Sequence, residues 1–429
     1  MNPSIPTAAR FVVAVMPVLI AGLVFAYGFT GIQATGQSLG ASAWTERPLD
    51  AVPKGSWPNT VIFANTWIAF SDDLAHIAYA ARFRVGDWTR ESVVWDGRRG
   101  SEFVWANLPA LSADGRRLAF VGVLQRDAGV SQPNAELPAY LVMGAARLQI
   151  QFKDTVLAPS WAPVFSPDGA KLAFRAERPS GRYAIGVLDV AAVEADASAV
   201  ERAVMWGPEF AGMDLPMWTR DSSALVYAAA PSRTEWVVMV GTESSATYKD
   251  ATGATFSPSG VLAYQATDES GSFVMINGER QPSFKAVTNP TFRADGTVVY
   301  GATDGGKHYV VVGSQRREVP KPVEGASVNA DGTRLMWWYR EDQRRRMVIN
   351  GSQGRKFTRR VNPPVFHADA GTFAYTAQSD DGFYVVTPRG VSRRYEAVQA
   401  NPRISPDGTK VGFVAYDDDR LWWKVLPLK

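Results

Sequence analysis

The sequence predicts an all-β fold: a single β-propeller of nine repeats, with eight or nine four-stranded blades, preceded by one transmembrane helix. A short phrase recurs nine times between Phe70 and the C-terminus. Each copy has an apolar residue, a turn rich in Ser, Thr, Asp and Gly, and an apolar strand with an aromatic residue at a fixed place. Successive aromatic residues are 36 to 54 residues apart, a spacing typical of propeller blades. A stretch of 22 uncharged residues precedes the first copy.

The composition allows one large body with its own core. The chain has 429 residues, 46% of them hydrophobic, and repeat units share a continuous core, so we expect a single globular body after the N-terminal segment. There is no cysteine, which excludes disulfides and thiolate metal sites. The formal net charge of +3 is small for this length and gives no general argument for a nucleic-acid partner.

Residues 11–32 are predicted to form a membrane anchor. A helix of this length spans roughly 33 Å, enough to cross a bilayer, whereas a cleaved signal peptide, the alternative, has a shorter apolar stretch. We therefore expect a tail at 1–10, the anchor, a linker rich in small residues and Pro at 33–58, and the propeller at 59–429. The anchor is marked by Phe11, Pro17, Gly22, Phe25, Tyr27 and Ile32.

The charges beside the anchor favour a cytoplasmic N-terminus. Arg10 precedes the span, whereas the first basic residues after it are Arg47 and Lys54. Because basic residues close to a span tend to stay in the cytoplasm, we expect an inner-membrane anchor with the propeller in the periplasm or otherwise outside the cytoplasm.

Each copy of the phrase predicts a hairpin of two antiparallel strands. Asp-Gly pairs supply the positive φ of a tight reversal at Asp114-Gly115, Asp168-Gly169, Asp295-Gly296, Asp331-Gly332 and Asp407-Gly408. The strand after the turn is apolar on both faces, which suits a sheet packed between two others. A third strand that often ends in Gly and a more polar fourth run complete a blade.

The last repeat supplies three strands, so closure of the ring needs a fourth from elsewhere. The β-rich run TVIFA at residues 60–64 is expected to pair with the last blade and so remove exposed sheet edges. Nine copies predict nine blades, or eight if the divergent copy at Phe70 or Trp218 is not a full blade.

Three copies carry a family resemblance: FSPDGAKLAF from Phe165, ISPDGTKVGF from Ile404 and LSADGRRLAF from Leu111. They resemble the WD40-like repeat of bacterial TolB-like propellers, and the resemblance covers about 360 residues. It implies the propeller fold. The chain differs from that family in having nine repeats rather than six and an apparent anchor, so a role in the Tol–Pal envelope system is an analogy only.

No motif for catalysis or metal binding stands out. His76, His308 and His367 fall in different repeats, with no second histidine or carboxylate at ligand spacing. There is no G-x-S-x-G elbow, and the acidic runs lack the pattern of a calcium loop. We therefore expect no catalytic residue, no metal and no cofactor, although carboxylates from separate blades could meet in the central channel.

Nine basic residues form the candidate interaction patch. They lie in the seventh and eighth repeats: Arg344, Arg345, Arg346, Arg355, Lys356, Arg359, Arg360, Arg393 and Arg394. Charged edge strands that prevent edge-to-edge pairing are one interpretation, and a docking surface for an acidic protein or anionic lipid headgroups is the other. Aromatic residues that would stack on bases are not interleaved with these charges, so no nucleic-acid partner is expected.

The second and third repeats carry insertions at residues 125–138 and 190–203, the latter rich in Ala and Glu and compatible with a short helix. Such loops often contact partners, and variable length without function is the alternative.

Together these observations favour a membrane-tethered propeller that acts without catalysis, as an interaction scaffold or accessory subunit of a larger membrane or envelope complex. The alternative is a channel-centred hydrolase or lyase, or a propeller that binds a small ligand or glycan.

Overall fold

The computed structural model describes most of the repeat region. The described residues are 45–48, 68–85, 88–123, 139–150, 162–257, 259–293, 295–328, 335–341, 344–349, 352–353, 357–362, 364–367, 372–398, 402–418 and 420–428. The predicted anchor at 11–32, the run at 60–64 and the insertion at 125–138 lie outside them. Within the described residues, no helix is long and apolar enough to cross a membrane.

The recurrent phrase forms its hairpin through a buried serine and an aspartate. In the turn at Ser112, the serine Oγ donates to Asp114 Oδ1 at 2.6 Å and accepts the N–H of Arg117 at 3.0 Å. The Asp114 carboxylate also accepts the N–H of Arg116 at 3.1 Å. Gly115 follows with a φ of +68°, which closes the reversal. The turns at Ser71, Ser166 and Ser405 repeat the serine–aspartate hydrogen bond.

Four-stranded antiparallel sheets follow from these hairpins. Blade 1 contains β2 (Ile68–Phe70), β3 (Ile77–Val85), β4 (Trp88–Trp95) and β5 (Arg98–Arg99). Blade 2 contains β6 (Trp105–Leu111), β7 (Leu118–Val123), β8 (Ala139–Met143) and β9 (Ala146–Gln149). Blade 3 contains β10 (Val164–Phe165), β11 (Lys171–Glu177), β12 (Tyr183–Asp189) and β13 (Val204–Trp206). Helix α1 (Val190–Ala195) and a 3₁₀ turn (Ala197–Ala199) lie between β12 and β13 and confirm the predicted short helix.

The middle of the chain forms three further blades. Blade 4 contains β14 (Gly212–Met213), β15 (Met217–Trp218), β16 (Leu225–Ala230), β17 (Val237–Val240) and β18 (Glu243–Ser244). Blade 5 contains β19 (Asp250–Phe256), β20 (Leu262–Asp268), β21 (Gly271–Ile276) and β22 (Glu279–Arg280). Blade 6 contains β23 (Ala286–Val287), β24 (Thr291–Phe292), β25 (Val298–Asp304), β26 (Lys307–Val312) and β27 (Gln315–Val319).

The C-terminal blades complete the ring. Blade 7 contains β28 (Gly325–Val328), β29 (Leu335–Glu341), β30 (Arg344–Ile349) and β31 (Ser352–Gln353). Blade 8 contains β32 (Arg360–Val361), β33 (Val365–Phe366), β34 (Phe373–Ser379), β35 (Gly382–Thr387) and β36 (Gly390–Val391). Blade 9 contains β37 (Ala397–Val398), β38 (Arg403–Ile404), β39 (Lys410–Asp417), β40 (Arg420–Pro427) and the early strand β1 (Thr45–Pro48).

The described residues thus form nine sheets, which confirms the nine-bladed propeller. The copies at Phe70 and Trp218 each build a full blade, so the eight-bladed alternative is wrong. In blades 4, 6, 8 and 9 the innermost strand is split into two short halves. Proline occurs at each break, as at Pro216 and Pro290, because proline has no N–H to donate to the neighbouring strand.

Each blade interface holds one aromatic residue of the phrase. The described core separates into nine clusters, and each joins two neighbouring blades. The aromatic residues, one per cluster, are Tyr79, Phe120, Phe174, Tyr227, Tyr264, Tyr300, Trp337, Tyr375 and Phe413, all at most 9% exposed. The aromatic residue therefore recurs once per repeat in the sequence because each interface between two blades needs one.

A second aromatic residue, which we call the latch, precedes the inner strand of most blades. Phe284 is the clearest case: its backbone bridges to Ser272 in the third strand of the preceding blade. Its ring packs edge-on against Tyr300, with the centroids 6.4 Å apart. The same bridge to the preceding blade occurs at Phe103, Phe210, Tyr248 and Tyr395. At these five interfaces the latch thus fastens a blade to its predecessor through the backbone, while its ring packs in the core between the two blades.

Ring closure differs in one point from the prediction. β1 pairs with β40 from Thr45 to Pro48, so an early strand does complete the last blade, but it lies within the segment expected to be a linker rather than at residues 60–64. The rings of Phe70 and Trp423 stack with centroids 4.6 Å apart across the interface of blades 9 and 1. Arg403 donates to Asp72 at 2.8 Å across the same interface. The ring is therefore closed in two ways: the N-terminal strand β1 completes blade 9, and side chains of blades 9 and 1 pack against each other.

Candidate functional site

The innermost strands of the blades line the central channel. First strands of neighbouring blades contact each other, as β6 and β10 do, because these strands lie nearest the axis. Asp214, at the break in the inner strand of blade 4, is half-buried and accepts the hydroxyl of Thr252 at 3.1 Å. Burial raises the pKa of the Asp214 carboxyl. Arg175 of blade 3 is close enough to oppose this shift, and its guanidinium lies 3.8 Å from the ring centroid of Tyr183.

The histidines do not meet in the channel. His76 Nδ1 lies 2.6 Å from Asp96 Oδ2 within blade 1, and His308 Nδ1 lies 3.1 Å from Thr303 Oγ1 within blade 6. His367 contacts the carbonyl oxygen of Pro406 in the next blade. In the part of the chain that the structure describes, no group of three or more acidic or histidine side chains is arranged to hold a metal ion.

The predicted basic patch is spread over three blades, and its described side chains are held by neighbours. Arg346 Nε lies 3.0 Å from Glu341, and Arg359 Nε lies 2.7 Å from Asp380. Arg393 forms an ion pair with Asp417, and Arg394 donates to the carbonyl oxygen of Asp381 at 3.1 Å. The side chains of Arg344, Arg345 and Arg360, and the whole of Arg355 and Lys356, lie outside the described residues. The patch therefore remains a prediction.

A groove lies beside this part of blade 7, at the interface with blade 6. It has a volume of about 330 Å³. We call it the 6–7 groove, and it is lined by Arg317, Glu318, Val319, Pro320, Lys321, Leu335, Trp337, Tyr339, Glu341 and Val348. One wall is the outermost strand of blade 6, and the floor comes from the second and third strands of blade 7. The volume falls in the range of sites that take a few side chains or a small ligand.

The floor of the 6–7 groove is aromatic and its rim is charged. Trp337 and Tyr339 are buried, with ring centroids 5.4 Å apart. Glu341 is held by Lys321 at 3.3 Å and by Arg346 at 3.0 Å, so its charge is already compensated. The exposed side chain of Arg317 makes no ion pair or hydrogen bond with any described residue. The groove thus combines apolar surface with an available cation.

The groove lies at an interface where a valine stands in place of an aromatic latch. Val319 takes the latch position, because it pairs with His308 in the third strand of blade 6 as Phe284 pairs with Ser272 in that of blade 5. Phenylalanine or tyrosine bridges the interfaces before blades 2, 4, 5, 6 and 9. Because valine fills less volume than either, this interface is less completely filled than its neighbours.

The sequence did not point to Arg317, Lys321 or the aromatic floor as a site. These residues come together only because blades 6 and 7 are in contact, and a local sequence pattern does not indicate which residues of two blades touch. One signal was present: residues 315–317 read QRR at the end of the sixth repeat, and the aromatic run MWWY follows at 336–339 in the seventh.

Comparison with known proteins gives no functional assignment. No protein-family model matches the chain, and no curated protein matches it. Among solved structures, the Dos1 propeller aligns with a TM-score of 0.44 at 9% identity, covering 74% of this chain and 92% of that one. The β-propeller domain of the Trilobed protease from Pyrococcus furiosus aligns with a TM-score of 0.41 at 12% identity, covering 76% and 95%.

TolB from Acinetobacter baumannii is also similar, with a TM-score of 0.30 at 13% identity, covering 65% of this chain and 79% of that one. These propellers include one from a protease and others that are not described as enzymes. At such identities and TM-scores the likeness concerns the propeller fold alone. The nine sheets make the chain an all-β, nine-bladed propeller, and TolB and other β-propellers are among its structural neighbours.

Proposed function

We propose that the protein is a membrane-tethered scaffold that acts outside the cytoplasm and binds protein partners without catalysis, as a subunit of a larger membrane or envelope complex. The observation that carries this proposal is the 6–7 groove, where an aromatic floor lies beside the exposed cation of Arg317. Partly apolar concave surfaces with a few convergent polar groups are typical of binding sites.

The uncharged stretch at residues 11–32 supports the tether, because its length suits a bilayer. A tether holds the groove close to membrane partners and so raises their effective concentration there. Weak individual contacts at the groove would then suffice for stable association.

The proposal is tested by extracting the full chain from membranes in mild detergent and identifying co-eluting proteins by mass spectrometry. Companion proteins are expected with the wild type. Their recovery should fall for Arg317→Glu and stay unchanged for Arg233→Glu, an exposed charge reversal in blade 4 that serves as the matched control. Elution of the wild type as a monomer with no companion would refute the scaffold proposal.

A further inference from the structure

The outer edge of blade 6 is unusual within the described ring. β27 has five residues, whereas the outermost strands of the other blades have two to four. It is the last strand of its sheet, and its first four residues are exposed. An edge strand of this length presents N–H and C=O groups that can pair with a further strand.

The two faces of β27 differ. Arg317 pairs in register with Val310, which belongs to the core between blades 6 and 7, so Arg317 points toward the groove, as does Val319 two residues later. Arg316 lies on the opposite face, with its guanidinium 5.5 Å from the ring centroid of Tyr309. A strand added beside β27 would place alternate side chains over the groove.

The net charge around β27 indicates which kind of partner segment would bind there. Lys307, Arg316, Arg317, Lys321, Arg340 and Arg346 lie on or next to β27 and β29, against the carboxylates of Glu318, Glu324 and Glu341. Each of these carboxylates already has a basic partner: Lys307 for Glu318, Arg340 for Glu324, and Lys321 for Glu341. The surplus is positive, so an incoming strand is favoured if it is acidic.

From these observations we infer that β27 takes up an extended acidic peptide segment of a protein partner as an additional antiparallel or parallel strand. Main-chain hydrogen bonds to β27 supply the pairing. An apolar side chain of the segment enters the groove above Trp337 and Tyr339, and a carboxylate of the segment pairs with Arg317. This inference rests on the proposed scaffold function and specifies the chemistry of its partner.

The test uses the detergent-solubilised full chain and a fluorescein-labelled peptide of eight residues, with binding followed by fluorescence anisotropy. In this peptide acidic and branched apolar residues take turns at every second position, so that both kinds lie on one face of the added strand. Arg317→Glu should weaken binding about tenfold or more, as expected for loss and reversal of one charge pair. Arg233→Glu should bind as the wild type does. A peptide with lysine in place of its acidic residues should bind Arg317→Glu better than the wild type.

Strand addition is tested separately by N-methylating alternate peptide bonds, which removes main-chain donors without changing charge. This peptide should lose binding. If the methylated and parent peptides bind equally well, strand addition is wrong. If the wild type and Arg317→Glu have equal affinity for the parent peptide, the inference of an acidic segment is wrong. Thermal unfolding of each variant checks that the fold is intact.

Sedimentation with phosphatidylglycerol vesicles distinguishes the other anionic partner. If Arg317→Glu abolishes vesicle binding while no peptide binds, the surface recognises lipid and the inference is wrong. If partner proteins co-purify with the wild type and with Arg317→Glu alike, the inference is wrong while the scaffold proposal survives.

Discussion

In five copies of the recurrent phrase a serine, rather than the glycine, is the buried centre of the turn: Ser71, Ser112, Ser166, Ser257 and Ser405. Ser166 is 1% exposed, donates to Asp168 and accepts the N–H of Lys171 at 2.9 Å. One hydroxyl therefore satisfies a backbone donor and orients the carboxylate that accepts a second one. This explains why the phrase needs Ser and Asp two residues apart.

Removing this hydroxyl should destabilise a blade that is otherwise unchanged. We expect Ser166→Ala to lower the free energy of unfolding by about 1–2 kcal/mol, because the N–H of Lys171 loses its acceptor. Chemical denaturation of the wild type and the variant measures this. The exposed Ser314→Ala should change little, and an equal effect of both would contradict the assignment.

The turn aspartates make stability depend on pH in the acid range. The pKa is lowered for Asp73, Asp114, Asp168, Asp221, Asp295 and Asp407. The hydrogen bond from the turn hydroxyl is the largest cause, except at Asp295, where it is the N–H of Thr297. For Asp221 the pKa falls to about 2.

Carboxyls with a lowered folded-state pKa stabilise the protein above their unfolded pKa, and the stabilisation disappears as pH falls through the folded value. The free energy of unfolding should therefore be constant near pH 5 and fall between about pH 4 and pH 2. Asp214 has a raised pKa and acts in the opposite direction. Denaturation at pH 5, 4 and 3 checks the sign, and a rise in stability on acidification would contradict it.

At the scale of the element, the latch explains how consecutive blades hold together. Gly271 shows how closely it fits: its φ is +122°, and a Cβ there would lie 2.5 Å from the carbonyl oxygen of Phe284. Gly382 has the same relation to the carbonyl oxygen of Tyr395. Only glycine leaves room for the latch backbone at these two bridges.

Truncating a latch should be costly where an aromatic residue fills it. We expect Phe284→Ala to lower the free energy of unfolding by about 3–5 kcal/mol, because a large buried side chain is lost between two blades. Phe284→Tyr is the matched control and should be tolerated, since tyrosine serves at Tyr248 and Tyr395. Thermal and chemical unfolding measure both, and comparable losses for Ala and Tyr would contradict the packing account.

The contacts of the latch were not predicted from the sequence, unlike the hairpins. The phrase revealed the hairpins and their interface aromatics, because both lie within one local pattern such as the residues from Ser166 to Phe174. The latch partner lies in the preceding blade, so no local pattern records the contact. A signal existed nonetheless: Phe210, Tyr248 and Phe284 each stand eight residues before the apolar residue that opens the next phrase.

The candidate site was less predictable than the fold for the same reason. The basic patch was expected from arginine-rich runs, but Arg359 and Arg393 are paired with aspartates, and sequence does not reveal pairing between strands. Arg317 was not singled out, because its significance comes from the aromatic residues of the next blade. Both the pairing of the patch arginines and the setting of Arg317 depend on contacts between residues far apart in the sequence.

For the whole molecule, closure of the ring depends on β1. Its pairing covers the outer edge of β40, which would otherwise be exposed to pairing with other chains. A chain that begins at residue 49 should therefore unfold at a temperature lower by about 5 °C or more and aggregate more readily. A chain that begins at residue 44 retains the strand and is the control.

Calorimetry measures the unfolding temperature of the two truncated chains, and light scattering measures their aggregation. Identical unfolding midpoints would mean that the stacking of Phe70 on Trp423 closes the ring unaided. The exposed pair of Arg403 and Asp72 is expected to add little, since such surface ion pairs contribute about 0–1 kcal/mol.

The most direct test of the scaffold account is site-specific photo-crosslinking of the full chain in its native membrane. A photoreactive amino acid replaces the exposed Gln315 of β27 in one variant, which leaves Arg317 in place, and Arg233 in another, and adducts are identified by mass spectrometry. The account predicts a discrete protein adduct from position 315 beside the 6–7 groove and none from position 233 in blade 4. Adducts at neither position, or equal adducts at both, would contradict a partner bound at the groove.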